Sequence, residues 1–213
     1  IYDYLGTTSV AGAVHDVDVV DHEVMGDNAI PIRIYRPKGS RGVLPTIFWV
    51  HGGGFVVGSL TSHDVFCRRL CAEANVVVVA ADYRLGPEHP FPAPQEDIIS
   101  VWRWVREHAE AERFDPDRLC LGGDSAGGNL TAMLCQQISV DERPAYQVLC
   151  YPSTDSSKNS PSRERWSKGY LLDLELIDWF NARYCSGEDM ADPRISPLLA
   201  PTLDDKPPAI MIT

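Results

Sequence analysis

Apolar residues along this chain fall into short runs separated by polar turns, and the spacing changes character from run to run. Residues 17–24 (VDVVDHEV) and 30–36 (IPIRIYR) mix apolar and polar positions at strand spacing, and Gly26-Asp27-Asn28 between them supplies turn residues. The pair predicts a hairpin. Thr46–Val50 and Val76–Ala80 are instead continuous apolar runs. The second is the most hydrophobic stretch of the chain and predicts a central strand covered on both faces. Between them, Asp64 to Ala74 carries Phe66, Leu70 and Ala74 at helical spacing. A proline-rich loop at 86–94 leads into an amphipathic helix from about Glu96 to His108, with Glu96 and Asp97 placed to suit the positive end of its dipole.

The second half continues the alternation. Arg118–Leu121 is a short strand-like run, Asn129–Gln136 a helix of small and apolar residues, and Tyr146–Tyr151 a further strand. Residues 153–169 turn polar and serine-rich, which predicts a mobile excursion. Leu171–Tyr184 reads as a helix with Leu172, Leu176, Trp179 and Phe180 on one face, and Pro208–Thr213 closes the chain as another strand of parallel type. Strands alternating with helices after an opening hairpin specify an α/β architecture, a mostly parallel sheet with helices on both faces. The organisation predicted is a single domain over 1–213 with a cap-type insertion at about 153–190.

Composition removes several function classes. The net charge is −11, from 19 basic and 30 acidic residues, and no Lys/Arg cluster occurs, so nucleic acid is not an expected partner. No apolar run reaches the roughly 18 residues of a membrane span, and the opening residues do not resemble a signal peptide. The chain begins at Ile1 rather than Met, so its start is read as a boundary. Cysteines 67, 71, 120, 135, 150 and 185 form no C-x-x-C pair. They read as reduced core residues rather than disulfides or zinc ligands, which points to a cytoplasmic location.

Chemistry enters at LCLGGDSAGGN, residues 119–129, where Ser125 stands between Gly123 and Gly127. A G-x-S-x-G segment between a strand and a helix holds its serine at the apex of a sharp turn with the hydroxyl exposed. Alone, the motif is equally compatible with a glycine-rich turn that has no chemistry. A second signal shifts the balance. His51-Gly-Gly-Gly-Phe55 follows a strand directly, and three consecutive glycines free the backbone to aim N–H groups at one point, as an oxyanion hole requires. Trp102 and Trp104 read as core and rim.

HGGGF at 51–55, DYRLGPEHPFPAP at 82–94, GGDSAGGN at 122–129 and DPRISPLLA at 192–200 together resemble the hormone-sensitive-lipase-type carboxylesterases of the α/β-hydrolase superfamily. The resemblance runs from about residue 17 to Thr213. It implies an α/β-hydrolase fold, apparently truncated at the C-terminus, and hydrolysis of short- to medium-chain carboxylic esters by an acyl-enzyme route without cofactor or metal. It implies that Ser125 is the nucleophile, that Gly53, Gly54 and Ala126 are the backbone oxyanion donors, and that His51 and Gly52 support the oxyanion loop. Asp124 is read as bracing the elbow and His89 as bracing its loop. Gly86 stands where the family usually has Ala. A small-molecule ester is the implied partner, and a homodimer is left open.

One part of the family pattern is missing. All six histidines, at 15, 22, 51, 63, 89 and 108, precede Ser125, whereas in this fold the order is Ser, acid, His. The triad acid and histidine are therefore expected beyond Thr213. Asp155, after the Tyr151 strand, is a second candidate for the acid. Helices contributing to a cap are expected from additional chain at the N-terminus. The other functional reading is a catalytically inactive small-ligand binding module, since plant gibberellin receptors resemble the family and lack the histidine.

Overall fold

The computed structural model describes residues 15–26 and 28–213. Asp27 of the anticipated turn and residues 1–14 lie outside them. The strands are β1 (Val17–Met25), β2 (Ala29–Pro37), β3 (Leu44–Val50), β4 (Val77–Ala81), β5 (Phe114–Asp124), β6 (Tyr146–Cys150) and β7 (Ala209–Ile212). The helices are α1 (Asp64–Ala74), α2 (Ala93–Glu107), α3 (Ala126–Gln137), α4 (Pro161–Arg165) and α5 (Leu174–Cys185). The seven strands form one sheet in the order β1-β2-β4-β3-β5-β6-β7. The hairpin β1–β2 joins β4 antiparallel, and every pairing from β4 to β7 is parallel.

The continuous apolar runs are the middle of this sheet. All five residues of β4 are buried. Val77 and Val79 enter one core with Phe48 and Val50 of β3, beneath Ile98, Val101, Trp102 and Val105 of α2 and Leu130, Met133 and Leu134 of α3. Val78 and Ala80 point the other way, into a second core with Ile47, Trp49, Tyr35 and Cys67 and Cys71 of α1. A strand in contact with helices on both faces has no solvent side, which is why its sequence does not alternate. Trp102 is fully buried, its Nε1–H donating to Glu142 O at 2.8 Å, whereas Trp104 sits at the rim stacked on His108.

Element ends and the last third differ from the pattern. α2 starts at Ala93, after Pro92 and with Pro94 in its first turn, a position where a missing N–H costs nothing. α3 starts at Ala126, three residues before the Asn129 start read from the sequence. The serine-rich stretch is organised by α4, capped by Ser160 Oγ accepting from Arg163 N at 3.2 Å. Leu171 and Leu172 lie outside α5, and its buried residues are Tyr184 and Cys185 rather than Leu176 and Trp179, which stay about two-fifths exposed. β7 pairs with β6 as a parallel strand, yet all four of its residues are exposed. His89 is exposed, and among the described residues its ring makes no hydrogen bond; Asp97 accepts from Arg84 N at 2.8 Å and from Arg84 Nη2 at 2.8 Å at the start of the loop.

The six cysteines are free, and four of them are buried. Burial raises the thiols of Cys67, Cys71 and Cys135 and pushes Cys185 up to about 11, so they sit as small apolar groups. No helix among the described residues is long and apolar enough to cross a membrane.

Candidate active site

Ser125 alone connects β5 to α3, with φ 52° and ψ −115°. A non-glycine residue held there costs about 1–3 kcal/mol. The surroundings impose it. Ser125 N–H donates to Cys150 O at 2.9 Å, and Ser125 O accepts from Asn129 N at 3.0 Å as the first turn of α3 closes. The turn can be this tight because α3 packs directly on the end of β3. A Cβ on Gly127 would collide with Val50 O and lie 2.6 Å from His51 O. Asn129, inside the quoted motif but given no role in advance, donates from Nδ2 to Ile195 O at 2.8 Å and to Ser153 O at 2.5 Å. It thereby ties the elbow to the DPRISP segment.

The loop 51–55 leaves β3 beside this elbow. His51 is buried, and its ring stacks on Tyr83 with centroids 4.2 Å apart. Tyr83 Oη donates to His51 O at 2.7 Å, and His51 Nδ1 lies 2.8 Å from Gly52 O. Gly53 has φ 127°, a conformation no L side chain adopts readily, and its carbonyl accepts from Val57 N at 3.0 Å and Val56 N at 3.2 Å. The ring of Phe180 from α5 lies against Gly54. Among the described residues, no backbone carbonyl accepts from the N–H of Gly53, Gly54 or Ala126. The structure thus brings the Gly52 end of the glycine loop against Asp124 and the His51 carbonyl against the first turn of α3, on either side of Ser125 in the chain.

Two carboxylates follow from the chain, Asp124 directly before Ser125 and Asp155 after β6. Asp124 accepts from Trp49 Nε1 at 3.2 Å and lies 3.3 Å from His63 Nε2. Sequence reasoning gave His63 no role, and only its position after the glycine loop could have drawn notice. Asp155 Oδ1 accepts from Ser157 N at 2.9 Å and Ser157 Oγ at 2.6 Å, while its buried Oδ2 lies 3.7 Å from Lys158 Nζ and has no hydrogen-bond partner among the described residues. The Ser157 hydroxyl holds its carboxyl below the usual carboxylate range. Among the described residues, no histidine hydrogen-bonds to Ser125 or to Asp155, and no group of His, Cys, Asp or Glu could hold a metal ion.

Residues 47–213 match the α/β-hydrolase-fold family. The chain belongs to that family. Within it, this α/β hydrolase carries the motifs of the hormone-sensitive-lipase-type carboxylesterases. It is 41% identical over 191 residues to an ethyl acetate hydrolase of Pseudomonas putida, covering 87% of this chain and 60% of that protein. It is 43% identical over 205 residues to a carboxylic ester hydrolase, LipN, of Mycobacterium tuberculosis, covering 92% and 54%. The chain therefore spans just over half the length of these curated relatives. The solved esterase of Pyrobaculum calidifontis superposes with a TM-score of 0.92 at 36% identity, over 100% of this chain and 71% of that one.

Proposed function

We propose that this protein is a serine carboxylesterase acting on short- to medium-chain carboxylic esters. Ser125 Oγ attacks the acyl carbon, and the ester oxygen leaves as the alcohol. Water then attacks the acyl-serine, freeing the carboxylic acid and restoring the hydroxyl. The N–H groups of Gly53, Gly54 and Ala126 hold the tetrahedral oxyanion, and His51 and Gly52 support their loop. Each such donor lowers the barrier by about 3–4 kcal/mol. A serine hydroxyl needs a base to take its proton. We place that histidine and its orienting acid in sequence beyond Thr213, and read residues 153–190 as part of a cap over the site.

The observation that carries the reading is the strained Ser125, held at a strand–helix junction against which Gly52 packs through Asp124; among the described residues, no backbone carbonyl accepts from the N–H of Gly53, Gly54 or Ala126. The relatives cited are named as hydrolases and esterases, which favours an enzyme over a binding module. Free, buried cysteines and a charge of −11 support a cytoplasmic enzyme with no nucleic-acid partner.

The test uses the full-length protein. It should hydrolyse p-nitrophenyl butyrate well and triolein poorly, and Ser125→Ala should abolish both turnover and covalent labelling by a fluorophosphonate. Labelling that persists in the variant would put the nucleophile elsewhere; preference for triolein would overturn the substrate class.

A further inference from the structure

The glycine loop and the serine elbow lie some 70 positions apart in the chain, and one carboxylate joins them. Asp124 immediately precedes Ser125, and Gly52 packs directly on it: a Cβ on that glycine would lie 2.9 Å from Asp124 O and 3.2 Å from its Cγ. The Asp124 carboxylate is 13% exposed and accepts from Trp49 Nε1 at the end of β3. Its other neighbour is His63, 14% exposed, whose Nε2 lies 3.3 Å from Oδ1 and 3.4 Å from Oδ2.

His63 is itself fixed from behind. Its Nδ1 lies 2.9 Å from Ser62 Oγ, which donates to Ser59 O at 2.9 Å and accepts from Ser59 N at 2.9 Å. The His63 ring also lies 5.4 Å from the ring of His51. A largely buried carboxylate whose partner is removed must turn towards water or lose its place, because an unpaired buried charge is costly. Gly52 rests on that carboxylate, so a shift there moves the start of the oxyanion loop relative to the elbow.

We propose that His63 is a positioning residue. Through Asp124 it fixes the oxyanion loop at Gly52 against the Ser125 elbow, without touching substrate or taking the serine proton. The inference rests on the esterase reading above and assigns that reaction a residue outside the nucleophile and the donors.

The misplacement should fall on the transition state rather than on substrate binding. In the full-length protein, His63→Ala is expected to lower kcat on p-nitrophenyl butyrate by on the order of 10²-fold, with KM within about twofold. His63→Gln, whose amide reaches the Nε2 position, should recover most of the loss. His63→Asn, which reaches only the Nδ1 position, should not. Combined with Asp124→Asn, His63→Ala should add little to the worse single variant, because both remove one contact. Equal kcat for the Gln and Asn variants, fully additive effects, or a lowered melting temperature with unchanged kcat would each overturn the proposal. Should His63→Ala fail to fold, the Gln and Asn comparison decides. Wild-type turnover that survives Ser125→Ala sinks the esterase reading, and this inference with it. Ser125-dependent turnover untouched at position 63 sinks this inference alone.

Discussion

At the scale of the residue, the decisive positions are those where a backbone comes too close for a side chain. Gly127 is one, with the carbonyls of Val50 and His51 occupying the space a methyl group would need. Those obstacles are backbone atoms of a central strand and cannot rotate away. Gly127→Ala should therefore destabilise the protein by at least about 3 kcal/mol, read as a fall in melting temperature or loss of soluble protein. Gly42, with nothing within 4 Å of the same construction, is the control. Gly42→Ala should stay within about 0.5 kcal/mol of the parent. The G-x-S-x-G spacing made the first position legible from the sequence. His63 was not legible, because a histidine has no pattern of its own: its role comes from the carboxylate that folding places beside it.

At the scale of the element, α5 shows what periodicity misses. Its sequence offers Leu172, Leu176, Trp179 and Phe180 as an apolar face, yet the residues that anchor it are at its end. Tyr184 stacks on Phe55 with ring centroids 3.8 Å apart, meets Phe91 edge-on, and bonds Gln95 of α2 through its hydroxyl. Phe55 belongs to the glycine loop, so Tyr184 ties α5 to that loop, as Phe180 does at Gly54. An element held by so few buried groups opens locally at low cost. Tyr184→Ala should speed tryptic cleavage at Lys168 and Arg183 at least about tenfold while leaving the far-ultraviolet circular dichroism of the sheet unchanged. Unaltered cleavage would mean that other contacts hold the helix. The β-strands were read more closely than the helix ends, because a buried strand is marked by its composition. Helix starts such as Ala93 and Ala126 depend on where a turn happens to close.

At the scale of the whole molecule, the sheet formed by the described residues has two unequal edges. β1 carries Asp18, Asp21 and Glu23, whereas β7 presents Ile210, Met211 and Ile212, each about half exposed. An apolar strand with free N–H and C=O groups on one side is a template for pairing with another chain. Residues 1–213 produced alone should self-associate on size exclusion. Ile210→Lys with Ile212→Lys, both on one face of the strand, should shift the population towards monomer. A parent already monomeric at tens of micromolar would contradict this.

What the sequence alone determined is the order of elements, the parallel sheet and the two glycine-rich motifs, at 51–55 and around Ser125. Those features are local: apolar runs, turn residues and spacings are written in consecutive positions. What only the tertiary structure decided is which distant groups meet. Asp124 is shared between Trp49 and His63, Asn129 reaches Ile195, and Phe180 lies on Gly54. Each of these depends on the twist and register of a sheet that brings separate loops to one end. A hydrogen bond between residues dozens of positions apart leaves no period in the chain to be read.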